Sequence, residues 1–150
     1  MKLVKKIAII LLVAFVGIQF IPTKHNESNL VPASDFMVVY NIPEQIETQL
    51  KVSCYDCHSN NTHYPWYNKI QPAAWIMEGH IEKGKEELNF SEFGDYSMRR
   101  QKSKLKSMIS QIRDDEMPIS SYTFIHRNAK LSEKDKFMLD KWLNNLRDSI

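Results

Sequence analysis

The chain has 150 residues, 43% of them apolar and 25% charged, the size and balance of one ordinary folded domain. That composition excludes wholesale disorder; four Gly and six Pro exclude collagen-like and low-complexity classes, and two Cys are too few for a disulfide scaffold. The formal charge of +2 hides an asymmetry. Residues 1–24 hold Lys2, Lys5, Lys6 and Lys24 and no acid, which leaves 16 basic against 18 acidic residues in the remainder, a balance of −2. A body with that balance lacks the basic footprint of a nucleic-acid binder.

From Ile7 to Ile21 the chain reads IAIILLVAFVGIQFI, with Gln19 its only clearly polar member, behind three lysines. A basic start followed by an apolar run is the pattern of an export signal. Fifteen helical residues reach about 22 Å, short of a bilayer core of about 30 Å; Leu3 and Val4 lengthen the run if the lysines snorkel. The following GIQFIPTKH offers neither a small-residue cleavage pair nor a Cys for a lipid anchor. Residues 1–22 therefore read as an uncleaved signal anchor with its positive end in the cytoplasm. A cleaved signal peptide and a buried core helix are the alternatives. The body is then expected on the periplasmic side of the cytoplasmic membrane, or free in the periplasm if the signal is removed.

Residues 23–39 are polar at first, carry Pro32, and read as a tether before a domain over 40–150. MVVY at 37–40 is the only β-branched run; helical patterns dominate. Pro43 suits a first helical turn, and Ile46 and Leu50 share a face that leads into Cys54. Asn60, Asn61, Pro65 and Pro72 punctuate a loop over 59–71. A second helix is expected from Pro72 to Lys83 with Trp75, Ile76 and Gly79 inward. After a connection at 91–96, a third helix over 97–113 carries the stripe Leu105, Met108, Ile109, Ile112, and Pro118 forbids its continuation. Ser132 is an N-cap with Asp135 three residues on, a capping box in front of Leu139, Trp142, Leu143 and Leu146. The expectation is an all-α domain, a bundle of about four helices.

Both cysteines sit in Cys54-Tyr55-Asp56-Cys57-His58. The C-x-x-C-H string reads as a c-type haem attachment site. Two thiols three residues apart can add to the two vinyl groups of one porphyrin edge, and the next residue, His58, is then carried beneath the ring as proximal iron ligand. One covalently bound haem is the expected cofactor. Three other readings compete. A thioredoxin-like pair needs a βαβ setting that this chain lacks. A structural zinc needs four ligands where Cys54, Cys57 and His58 give three. A plain disulfide leaves His58 without a role.

Iron in such a protein takes a second ligand, Met or His, from elsewhere in the chain. Met117, in Asp115-Glu116-Met117-Pro118, is the expected distal ligand, because Met98, Met108 and Met138 fit helical faces as core. His80 on the second helix is the alternative, and an open position the third choice. His63 and His126 read as surface groups or propionate partners. Tyr64, Trp66, Tyr67 and Trp75 serve either the porphyrin edge or ordinary core. Arg99, Arg100, Lys102, Lys104 and Lys106 read as a solvated face, with docking of an acidic partner the weaker choice.

The series Cys-Tyr-Asp-Cys-His-Ser, Asn61-Thr62, Tyr64-Pro65-Trp66-Tyr67, Pro72, Trp75, His80, Gly84, Leu88-Asn89-Phe90-Ser91, Glu116-Met117-Pro118, Tyr122, His126, Ala129, Leu131-Ser132 and Trp142 resembles a bacterial haem-binding domain family, over about 43–146. That family is recognised by a single C-x-x-C-H site and is commonly found in small exported or membrane-attached proteins, so the resemblance implies haem binding more firmly than a pathway. Where the family pattern has Trp after Asn-Phe-Ser-Glu, this chain keeps an aromatic, Phe93. More loosely, Met-Pro, Leu-Ser and a final amphipathic helix look like the end of small class I cytochromes c, which implies helices around one haem and, by analogy, Met117 as ligand. The expected function is single-electron transfer to redox partner proteins, without enzymatic activity. A haem-based sensor or gas-binding module, or a peroxidase-like enzyme, is the alternative and needs an open sixth site.

Overall fold

The computed structural model describes residues 2–28 and 30–150, and among them every regular element is helical. Helix α1 is Lys2–Ile18, α2 the single turn Phe36–Val39, and α3 begins as Glu44–Leu50. Without a break α3 widens into the π-helical turns Lys51–Tyr55 and closes with the α-turn Asp56–His58. There follow α4 (Ala73–Glu87), α5 (Met98–Arg113), α6 (Ser120–Ile125) and α7 (Glu133–Ser149), with 3₁₀ turns at Trp66–Lys69, Phe90–Asp95 and Arg127–Ala129. The four helices expected of the domain are α3, α4, α5 and α7; the fold adds α2 and α6.

The core gathers Ile46 and Leu50 of α3, Leu105, Met108, Ile109 and Ile112 of α5, and Leu139 and Leu143 of α7, around Phe36, Phe90 and Phe93. The stripes expected on α5 and α7 are the ones that bury, and these two helices pack chiefly on each other. Ser132 caps α7: its hydroxyl accepts from the Asp135 N–H, and the Asp135 carboxylate accepts from the Ser132 N–H. Met108 is buried and Met138 half-buried, as core methionines should be, but Met98 opens α5 and is 55% exposed.

Several expectations change. The inner face of α4 is Ala74, Met77 and Ile81, while Trp75 and Ile76 are 37% and 58% exposed. The helical phase follows the stripe that continues to Gly84 and Leu88, not the bulkiest pair. MVVY forms no strand, because the Asp35 side chain accepts from the Met37 N–H and caps a helical turn instead.

The segment expected as a tether over 23–39 is pinned to the body at two places. Asn26 donates through Nδ2 to the Ser59 carbonyl and the Thr62 hydroxyl, and its Oδ1 accepts from Lys85 Nζ. Ser34 donates to the Ser91 carbonyl and accepts, through its own carbonyl, from the Gly94 N–H. Phe36 is fully buried at the centre of an aromatic cluster with Tyr40, Phe90, Phe93 and Trp142.

The helix expected over the signal-anchor segment ends at Ile18, short of Ile21; Gln19–Ile21 turn away ahead of Pro22, which disfavours helical backbone at the residue before it. Among the described residues no helix is long and apolar enough to cross a membrane.

Candidate functional site

The motif occupies the C-terminal end of α3, where the π-turn begins three residues before Cys54. A π-turn inserts one residue into the helical register and re-aims the side chains after it. Ser53 is tied in from both sides: its hydroxyl accepts from Gln49 Nε2 and donates to the Ala129 carbonyl. Tyr55 lies flat on Phe90 at 4.9 Å and donates to the buried Asp35 carboxylate, so the supposed tether braces the motif. Asp56 takes the Tyr122 hydroxyl on one oxygen at 2.7 Å and the His63 N–H on the other at 3.0 Å.

His58 carries the most informative bonds. Its Nδ1 lies 2.8 Å from the Gly84 carbonyl and 3.0 Å from the Leu88 carbonyl. Carbonyl oxygens only accept, so Nδ1 bears the proton and Nε2 keeps its lone pair. Burial lowers the His58 pKa, opposed by these two bonds, so the ring is neutral at neutral pH. A neutral imidazole with one nitrogen locked by backbone carbonyls and the other free is the form that ligates a metal. Gly84 allows the approach: a Cβ there would stand 2.6 Å from the Cys57 carbonyl oxygen.

Two adjoining cavities, of about 200 and 280 Å³, share Cys54, His58, Glu87 and Met117. The first is walled by Leu88, Phe90, Met108 and Ile112 with Lys104 and Gln111; the second adds Cys57, His80, Lys83, Pro118, Ile119 and Tyr122. Apolar walls around a few convergent polar groups are what a large organic cofactor requires. The cysteines are free thiols, held protonated by burial, with the Cys54 pKa pushed up to about 12 and that of Cys57 to about 11. Among the described residues no group of three or more His, Cys, Asp and Glu is arranged to hold a metal ion.

Met117 reaches both cavities because of how α5 ends. Asp115 adopts a left-handed φ of 58°; its N–H bonds the Ile112 carbonyl, and the Glu116 and Met117 N–H groups both bond the Gln111 carbonyl at 3.0 and 3.1 Å. This Schellman turn folds the chain back over the helix terminus, and Pro118 prevents further helix. His80 lines the second cavity alone.

Of the expected accessory residues, Tyr64, Trp66, Tyr67 and Trp75 line neither cavity. Tyr64 bonds the Asn26 N–H and Glu78, and Trp66 is 75% exposed. His126 also lies outside both cavities, hydrogen-bonded to the Tyr67 hydroxyl at 2.7 Å and stacked on Tyr122 at 4.3 Å. His63 is exposed. Lys83 and Lys104, rather than His63 or His126, stand on the cavity walls, with Lys104 Nζ 3.8 Å from Glu87. Phe90 and Tyr122, the aromatics that do line the cavities, lie outside the tyrosine- and tryptophan-rich stretch after the motif. Met108 and Ile112 serve both core and cavity, a double role that helical periodicity cannot separate.

The sequence pattern of the haem-binding domain family matches residues 13–145. The chain belongs to that family. As a haem-binding domain it has the parts described above, with His58 and two thiols at the edge of an apolar slot. No curated protein and no solved structure gave a match.

Proposed function

We propose that this haem-binding protein is an exported monohaem c-type cytochrome, held at the membrane by its N-terminal segment, that carries single electrons and is not itself an enzyme. Cys54 and Cys57 would hold the haem through thioethers, His58 would ligate its iron through Nε2, and Met117 would supply the second ligand. The observation that carries the reading is the His58 ring, its Nδ1–H taken by the Gly84 and Leu88 carbonyls beside two thiols on the same helical turn. Bound haem supplies reversible one-electron chemistry. The chain's residues set how that chemistry runs. Leu88, Phe90, Met108 and Ile112 keep water from the slot, and a neutral thioether donor favours ferrous iron and raises the potential. His80, which reaches only one of the two cavities, fits less well as ligand. The three lysines before the apolar run support export to the periplasmic side of the cytoplasmic membrane.

Optical spectra of the oxidised and reduced protein, with and without carbon monoxide, test the role. Low-spin, unreactive iron is the expected result. High-spin iron that binds carbon monoxide would overturn the carrier reading in favour of a gas-binding sensor or a peroxidase-like enzyme. Acidified organic solvent should leave the haem on the protein; haem that extracts freely would refute covalent attachment.

A further inference from the structure

We propose that the surface around the hydrogen-bonded junction of Gln19 and Gln71 is a second membrane contact, which seats the haem domain directly on the lipid. The inference rests on the reading of α1 as the membrane-held segment. At 17 residues α1 is about 26 Å long, and its uncharged part, Ile7 to Ile18, is about 18 Å. A hydrocarbon core is about 30 Å thick. Thinning of the bilayer and snorkelling of the lysines accommodate so short a helix by bringing the lipid surface to its end, and whatever is fixed to that end then lies at lipid level.

Gln71 is fixed there. The Gln19 amide donates to the Phe15 and Gln71 carbonyls, and its oxygen accepts from the Gln71 N–H at 2.9 Å. The Gln71 amide donates to the Ile21 carbonyl, and its oxygen accepts from the Trp75 N–H. All four amide heteroatoms are thus satisfied within the protein, as polar groups at lipid depth must be. Around this pair the exposed side chains are apolar: Phe20 and Ile21 on one segment, Ile70, Trp75 and Ile76 on the other. Indole and branched aliphatic groups of this kind suit the boundary between acyl chains and headgroups. Lys24 and Lys69, both exposed, flank the two segments and supply charge for anionic headgroups.

The test is photolabelling of the full-length haem-loaded protein in vesicles of phosphatidylethanolamine and phosphatidylglycerol that carry a photoactivatable acyl chain. Lipid adducts are expected on the tryptic peptide 70–83 as well as on 7–24. A variant with Ile70→Ser, Trp75→Ser and Ile76→Ser, all at exposed positions, should keep its haem spectrum and its adducts on 7–24 and lose most of those on 70–83. Adducts confined to 7–24 would overturn the second contact and leave the anchor standing; adducts on neither peptide would overturn both. Crosslinks between copies through 70–83, with no lipid there, would assign the face to self-association and overturn the proposal.

Discussion

Met117 and Gly84 each take their position from backbone geometry. The Schellman turn after α5 and the proline behind it hold Met117 where both cavities meet. Met117→Ala should therefore give high-spin iron that binds carbon monoxide, with a lowered potential, while His80→Ala keeps the low-spin spectrum. The reverse pattern, read by spectroscopy and redox titration, would make His80 the ligand. Gly84 and Gly79 lie on the same helix and predict opposite outcomes. A Cβ at Gly84 collides with the Cys57 carbonyl, whereas nothing lies within 4 Å of one at Gly79. Gly84→Ala should cost about 1–3 kcal/mol through overpacking and reduce haem content. Gly79→Ala should stabilise by about 0.5–1 kcal/mol, the helix-interior preference for Ala. Urea unfolding of the two variants beside wild type decides it.

Among the elements, α7 shows how a local signal becomes stability. Its capping box satisfies N–H groups at a helix start that would otherwise lack partners, and its stripe buries Leu139 and Leu143 against α5. Ser132→Ala should cost about 1 kcal/mol. The Asp135 carboxyl is held below its usual pKa by the side-chain and backbone hydrogen bonds of Ser132. A carboxyl with a depressed folded pKa contributes fully above its unfolded value, near 4, and loses that contribution as pH falls through the folded value. The gap in urea midpoint between wild type and Ser132→Ala should hold from neutral pH down to about 4 and narrow below it. A gap that widens in acid would contradict the role given to Asp135.

At the scale of the whole molecule, Asn26 and the stretch Ser34–Phe36 belong to the folded body. Asn26 bridges the loop after the motif to α4, Asp35 accepts from Tyr55 within the motif, and Phe36 fills the core. A chain beginning at Thr23 should keep its helicity and haem. One beginning at Tyr40 loses Phe36, and emptying such a buried site alone costs about 3–5 kcal/mol out of a total of about 5–15 kcal/mol. It should unfold at a much lower urea concentration and bind little haem. Equal midpoints for the two chains, measured by circular dichroism, would return the segment to the status of a loose tether.

What could be read without a structure was local. The C-x-x-C-H spacing, the four long helices, the α5 and α7 stripes, the Ser132 cap and the stop at Pro118 each depend on residues within a turn or two of one another, where helical period and capping chemistry act alone. What required the folded chain was long-range. The tautomer of His58 is set by carbonyls 26 and 30 residues away, and Asn26 finds Ser59, Thr62 and Lys85 across 33 to 59 residues. The face that α4 buries is Ala74, Met77 and Ile81 rather than Trp75, Ile76 and Gly79, and the close approach of Gly84 to the Cys57 carbonyl lies in a long-range contact that helical period alone does not specify. Burial of Phe36 and exposure of Trp66 follow from the same cause: a side chain's hydrophobicity says that burial is favourable, and only the path of the rest of the chain says whether there is anything to bury it against.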